Sequence, residues 1–212
     1  MNRLFILPLL LLLTACEPTK ITQTWTAPNA KPQAFKKILV LGVLTEADSL
    51  LRVKMENHLA EDLRAIGYQA IPANTVFPAG TFVKGDTARA MAALQGSGFD
   101  GILTVVLLDK KKEKYYVPGK ITDYNMPGQY SAFNRYYSRV SERIYSPGYF
   151  GEETKYVWEN NFYDLTQRDI IYSARTRTFD IASVSTLAHQ YGQLMVQSLV
   201  DKKVILPPQP AD

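Results

Sequence analysis

The sequence predicts an α/β fold: a single three-layer-like domain with a β-α-β-α-β parallel core, followed by an antiparallel strand pair and a C-terminal helix. Three observations predict it. The runs KKILVLGVL (36–44) and GILTVVLLD (101–109) are apolar without alternation, as strands covered on both faces of a parallel sheet are. Two stretches of helical period lie between them. Beyond them come two segments of strand period and one further helical stretch.

The elements follow in order. After the first strand, Leu51, Met55, Leu59, Leu63 and Ile66 recur at helical spacing over Asp48–Ile66, with Asp48 as N-cap and Gly67 as stop. Tyr68–Ile71 reads as a short second strand ended by Pro72, and 72–85 as a loop. Asp86–Gln95 reads as a second helix, closed by Gly96-Ser97-Gly98 before the third strand at 101–109. This succession implies right-handed crossovers and parallel pairing. Residues 110–150 read as irregular. Residues 153–165 and 170–179 read as two antiparallel strands. In the second, Tyr172, Ala174, Thr176 and Thr178 share one face while Arg175 and Arg177 share the other. Ser183–Val200 is an amphipathic helix with Val184, Leu187, Ala188, Tyr191, Leu194, Met195 and Leu199 on its apolar stripe. The tail, 206–212, is expected to be disordered.

The N-terminus carries targeting information. Arg3, the apolar run Leu4–Leu13 and the small residues Thr14 and Ala15 have the layout of a secretory signal. The run is about half the ~20 apolar residues a membrane span needs. Leu13-Thr14-Ala15-Cys16 resembles the lipobox of bacterial lipoproteins. That resemblance implies removal of a signal peptide, 1–15, and lipidation of Cys16 with a covalent diacylglycerol and an N-acyl chain, and no other cofactor. Chains in that number hold a protein stably to a membrane. Cys16 is the only cysteine, so the chain has no intramolecular disulfide, cysteine nucleophile or thiolate metal site. Glu17 follows it, where an Asp would favour inner-membrane retention in enterobacterial lipoproteins. The resemblance therefore favours the outer membrane, periplasmic face.

Residues 16–35 are expected to form the lipidated end and a tether, and 36–205 the domain. Fully extended, residues 17–35 reach roughly 65 Å, less if Thr24-Trp25-Thr26 docks as an edge strand. The formal net charge is +4, and +3 once Arg3 leaves with the signal. That permits contact with anionic lipid or glycan. An exported, anchored chain is not expected to meet nucleic acid.

Several motifs extend the resemblance. They are Thr24-Trp25-Thr26, the helix pattern Arg52, Glu56, Leu59, Leu63, Gly67, the segments 116–119 and 145–149, and Glu159-Asn160-Asn161-Phe162-Tyr163-Asp164. Together they resemble a bacterial lipoprotein family with no assigned activity. The layout is similar to the domains of outer-membrane lipoproteins that activate peptidoglycan synthases, and to curli-secretion and TolB N-terminal-like domains. The activators have a long disordered tether, which this chain lacks.

Candidate chemistry is sparse. His58 and His189 sit in different helices, too few for a metal site of three or four ligands. Gly96-Ser97-Gly98 has the wrong flanking elements for a nucleophile elbow, and no phosphate-loop or dinucleotide fingerprint is present. Arg52 and Glu56 read as an i, i+4 surface ion pair. Ligands of open α/β sheets bind beyond the strands' carboxyl ends, which makes Thr45, Glu46 and Arg52 a candidate strand-end site. Lys110-Lys111-Lys112-Glu113-Lys114 reads as a solvated turn.

The most distinctive stretch is an insertion at about 118–150. Eight of the thirteen tyrosines fall between 115 and 149, and Arg135, Arg139 and Arg143 have i, i+4 spacing. Tyr and Arg together favour interfaces. Arg135, Tyr136, Tyr137, Arg139, Arg143, Tyr145 and Tyr149 are the candidate partner-binding residues. The alternative is that the tyrosines pack on the sheet. The expected function is a non-catalytic binding or scaffold module for an envelope protein or a glycan such as peptidoglycan. The competing reading is a periplasmic hydrolase or transferase using paired carboxylates drawn from Asp100, Asp109 and Asp123.

Overall fold

The computed structural model describes residues 19–28, 30–78, 80–82, 86–118, 131–145, 148–178 and 183–206, without the side chains of Thr87, Ser131, Glu142, Arg143 and Tyr145. The expected signal, Cys16, Glu17, Asp123 and residues 207–212 lie outside them. The strands are β1 (Thr19–Thr26), β2 (Ile38–Val43), β3 (Ala70–Pro72), β4 (Gly101–Val117), β5 (Tyr149–Asp164) and β6 (Asp169–Thr178). The helices are α1 (Ser49–Ala65), α2 (Ala73–Val76), α3 (Thr87–Leu94), α4 (Ser131–Tyr145) and α5 (Val184–Asp201).

The strands form one mixed sheet in the order β1-β6-β5-β4-β2-β3. β2 pairs in parallel with both β3 and β4, and β4-β5-β6-β1 continues antiparallel. The predicted α/β class, with its parallel core, antiparallel pair and C-terminal helix, is the fold the chain adopts. β2 is buried on both faces, as its unbroken apolar run requires. Ile38 and Val40 join the larger core beneath α1 and α5, and Leu39 and Leu41 join a smaller one with Ala73 and Ile102. Phe77, Phe82, Leu94 and Phe99 cover that smaller core.

α5 buries Leu187, Ala188, Tyr191, Met195 and Leu199 as its period predicts, while Val184 is exposed at its first turn. Asn160 and Thr176 put polar side chains into this apolar layer, and Tyr191 answers both. Its hydroxyl accepts from Asn160 Nδ2 at 2.6 Å and from Thr176 Oγ1 at 3.4 Å. Burial pushes the phenol well above its ordinary pKa, so it stays a neutral partner.

Four elements differ from expectation. Within the stretch read as a loop, Ala73–Val76 form the short helix α2. Residues 19–26, assigned to the tether, form β1 and pair with β6 along the sheet edge. The docking therefore extends well beyond Thr24-Trp25-Thr26. The lysine-rich stretch expected to be a turn is strand: β4 runs on to Val117 against β5 back to Tyr149. Among the described residues no layer covers this two-stranded arm, and its residues lack the apolar alternation that marks a strand in sequence. Lys155 and Lys111 instead pair with Glu113, and Lys114 with Glu152. Finally, part of the stretch read as irregular, 131–145, is helix α4.

Tyr191→Phe should lower stability by about 1–3 kcal/mol, because it strands the buried Asn160 amide and Thr176 hydroxyl. The check is a reduced urea midpoint with an unchanged denaturant slope.

Candidate functional site

Three regions could serve function: the carboxyl ends of the parallel strands, the uncovered face of the antiparallel half, and the arm with α4.

At the strand ends the structure replaces the expected surface ion pair with a buried one-sided pair. Glu56 is fully buried. Its Oε1 accepts from Gly42 N at 2.9 Å, and its Oε2 accepts from Asn74 N at 2.8 Å and Asn74 Nδ2 at 2.6 Å. Arg52 Nη1 stands 3.7 Å away. One carboxylate thus fastens α1 to the end of β2 and the start of α2. Gly42 allows the approach, because a Cβ there would lie 2.7 Å from Arg52 Cγ. Of the sequence candidates, Glu46 and Arg52 line a cleft of about 50 Å³ with Gly42, Phe77, Thr81 and Phe82. Thr45 instead donates to Asp48 at 2.9 Å. Asp48, expected to cap α1 through its side chain, receives Lys110 Nζ at 2.5 Å, and no helix N–H reaches its carboxylate. That hydrogen bond holds the Asp48 carboxyl below, and the Lys110 ammonium above, its ordinary range. The cleft is small beside the ~300–1,000 Å³ pockets that enclose small ligands.

The histidines are closer than their sequence separation suggests. α1 and α5 cross tightly at Gly192, where a Cβ would run into Asp62 Oδ2. The crossing brings the His58 and His189 rings to 5.9 Å, centroid to centroid, edge to face. Burial pushes the Asp62 carboxyl up; His189 and His58 oppose this, and Glu61 adds to it. His58 Nδ1 faces Glu61 at 3.5 Å, and His189 Nε2 meets Gln193 Nε2 at 3.2 Å. Among the described residues no group of three or more His, Cys, Asp or Glu side chains is set to hold a metal ion.

Of the carboxylates named for acid–base work, Asp100 and Asp109 are not brought together, and Asp123 lies outside the described residues. Asp100 accepts from Lys36 N at 2.6 Å and Lys37 N at 2.8 Å, next to the first residue of β4. Asp109 sits nine positions along, at a break in the β4–β5 register, roughly 30 Å away at ~3.3 Å per residue. A glycosidase pair stands within about 10 Å.

The second region carries no candidate from the sequence. On the face of β1, β6 and β5 turned away from α5, two cross-strand rows lie side by side. Trp25, Ser173, Asn161 and Thr104 form one, and Gln23, Arg175, Glu159 and Val106 the other. Trp25 is 45% exposed. Arg175 donates through Nε and Nη2 to Glu159 Oε2, both at 3.2 Å. Gln23, Trp25, Glu159, Ser173 and Arg175 line a groove of about 170 Å³. The available sequence signals were the half-polar alternation of β6 and the Trp in an edge strand. Neither shows that they meet.

In the third region, the structure places Arg135, Tyr136, Tyr137 and Arg139 on α4 with exposed side chains, and Tyr149 exposed on the arm. Arg143 and Tyr145 belong to α4, but their side chains lie outside the described residues. The reading that the tyrosines pack on the sheet does not hold for Tyr136, Tyr137 and Tyr149.

No family model and no curated protein matches the chain. Among solved structures it is similar to the PelC dodecamer from Paraburkholderia phytofirmans, at 12% identity, 89% of this chain, 99% of that chain and a TM-score of 0.45. It is also similar to the lipoprotein GNA1162 from Neisseria meningitidis, at 15% identity, 78% and 99% coverage and a TM-score of 0.43. A PDZ domain protein from Parabacteroides distasonis matches at 12% identity, with 85% of this chain but 35% of that chain, and a TM-score of 0.41. Among the described residues, no helix is long and apolar enough to cross a membrane.

Glu56→Gln should cost about 2 kcal/mol, since an amide NH₂ would face a backbone N–H that now donates to a carboxylate. Chemical denaturation measures it. Asp62→Asn should stabilise, in a pH-dependent way. The folded-state pKa of Asp62 is raised, so the parent loses stability as pH rises from its unfolded value, near 3.8, through the folded one. The variant has no such loss. Its melting-temperature advantage should be absent below about pH 3.8, grow above it, and level off by neutrality.

Proposed function

We propose that this protein is a lipid-anchored cell-envelope lipoprotein of the outer membrane, periplasmic face, that works by binding and not by catalysis. Of the two partner classes considered, an envelope protein or a glycan, the surface chemistry favours glycan, peptidoglycan included. The observation that supports this is the groove at Trp25. An exposed indole supplies a flat apolar platform, surrounded by the donor Arg175, the acceptor Glu159, and Gln23 and Ser173, which do both. A sugar ring has that same division, an apolar face and a rim of hydroxyls. At about 170 Å³ the groove is smaller than the ~300–1,000 Å³ pockets that enclose small ligands. It suits a chain laid across an open sheet face.

The test is titration of the protein with soluble peptidoglycan glycan fragments, followed by calorimetry or chemical-shift change. Trp25→Ala should weaken binding about tenfold or more, the effect of removing an aromatic hot spot. Lack of fragment binding by the parent, or equal binding by the folded variant, would sink the glycan reading. Crosslinking capture from solubilised envelopes would then decide for a protein partner.

A further inference from the structure

We propose that α4 and the tip of the β4–β5 arm form a membrane-seating surface that lies in the headgroup region of an anionic bilayer. Three observations support it: the composition of α4, the lack of a strand or helix packed along it among the described residues, and the direction in which the arm leaves the sheet.

Along α4, Phe133, Tyr136, Tyr137, Val140 and Ile144 fall at i, i+3, i+4, i+7 and i+11, a single stripe. Phe133, Tyr136, Tyr137 and Ile144 are 61–66% exposed, and the Phe133 and Tyr137 rings stack at 6.0 Å. Among the described residues, no strand or helix packs along the length of α4. A 15-residue helix with such a stripe is marginal in water without something to cover it. In the sequence of α4, Arg135, Arg139 and Arg143 recur every fourth position, against one acid, Glu142. An aromatic and aliphatic face flanked by arginines is the composition of helices that lie in a bilayer interface. The arm tip adds Tyr115, Tyr116, Tyr149 and Phe150, all exposed, with Tyr116 and Phe150 in ring contact at 5.4 Å. Tyrosines concentrate at headgroup level because the ring is apolar and the hydroxyl is not.

Direction selects the membrane over other occupants. The register runs Thr19–Thr178–Tyr156–Lys110 across four strands. The start of β1 therefore lies at the end of the sheet from which the arm projects. Cys16 precedes Thr19 by three residues, at most about 10 Å of chain. Seven residues of β4 beyond Lys110 carry the arm about 23 Å further the same way, at ~3.3 Å each. With the lipid at Cys16, an arm rooted beside it and longer than the connection reaches the bilayer surface. The arginine excess on α4 gives it the sign that anionic headgroups attract.

The test uses residues 17–212, which keep every strand and helix but lack Cys16, so its outcome is independent of lipidation. Flotation is measured with vesicles of phosphatidylcholine alone and of phosphatidylcholine with 30% phosphatidylglycerol. Binding is expected on the anionic vesicles, at least tenfold weaker on the neutral ones, and weakened by added salt. The combined variant Phe133→Ser/Tyr137→Ser/Ile144→Ser, shown by circular dichroism to be folded, should bind at least tenfold less. The indole introduced by Tyr137→Trp should emit further to the blue on the anionic vesicles and be quenched by brominated acyl chains. No flotation of the parent, unchanged flotation of the triple variant, or no quenching of the introduced indole would overturn the proposal. Concentration-dependent self-association removed by the triple variant, without vesicle binding, would assign the stripe to a second copy instead. Membrane release of full-length Cys16→Ala tests the lipid anchor separately.

Discussion

The pairing of β4 with β5 is the contact on which the rest of the molecule depends. It runs from Gly101 opposite Asp164 to Val117 opposite Tyr149, with one break between Leu107 and Asp109. Its first half lies inside the sheet and joins the parallel strands to the antiparallel ones. Its second half leaves the sheet as the arm. One continuous register therefore sets both where α5 packs and where α4 is carried. In the inner half, Trp158, Asn160 and Phe162 are buried beneath α5. A slip of one residue would turn them outward and bring Glu159 and Asn161 into the core. The Asn160–Tyr191 hydrogen bond adds to that specification, because only one register lets the amide find its acceptor.

The same division explains what the sequence could reveal. Where two layers enclose a strand, hydrophobicity is a direct record of burial, so β2 and the first residues of β4 were legible. The faces of β6 and the stripe of α5 were legible for the same reason. Beyond Leu107 the record fails. Among the described residues nothing covers the arm, and it carries charged side chains in diagonal cross-strand pairs such as Lys155–Glu113, so a strand has the composition of a turn. α4 was legible in spacing, but its flanks gave no sign of a helix along which, among the described residues, no strand or helix packs. β1 was half legible: Trp25 hinted at an edge strand, while the polar residues around it suited a tether equally well.

At the strand ends a different limit applies. Topology puts Glu46 and Arg52 at the cleft beyond the end of β2, while Thr45 is turned to Asp48. Topology says nothing about whether the space there is free. Glu56, at i+4 from Arg52, has the spacing of a surface pair, and burial changes its role. Its carboxylate collects three N–H donors from two elements and draws α1 and α2 close over the crevice, which leaves only a small cleft. The groove at Trp25 arises the other way. Its residues are ordinary singly, and two cross-strand rows on an uncovered face bring them together from strands more than a hundred residues apart.

The two proposed surfaces bear on each other through β1. Its first residue lies at the arm end of the sheet, and Trp25 lies six positions further along, about 20 Å from it at ~3.3 Å per residue. On a molecule held by lipid at Cys16 and by α4 at the headgroups, that strand is directed away from the bilayer and carries the groove with it. A single tether leaves a domain free to tumble, and a groove then meets a surface-bound polymer in every orientation. A second contact, about 23 Å out along the arm at ~3.3 Å per residue, removes that freedom before any ligand arrives. Less ordering entropy then remains to be lost on binding, which is how a shallow open groove gains affinity without gaining contacts. With both surfaces acting as proposed, the arm and the groove are one device, with orientation supplied by the half of the β4–β5 ribbon that contributes nothing to the core.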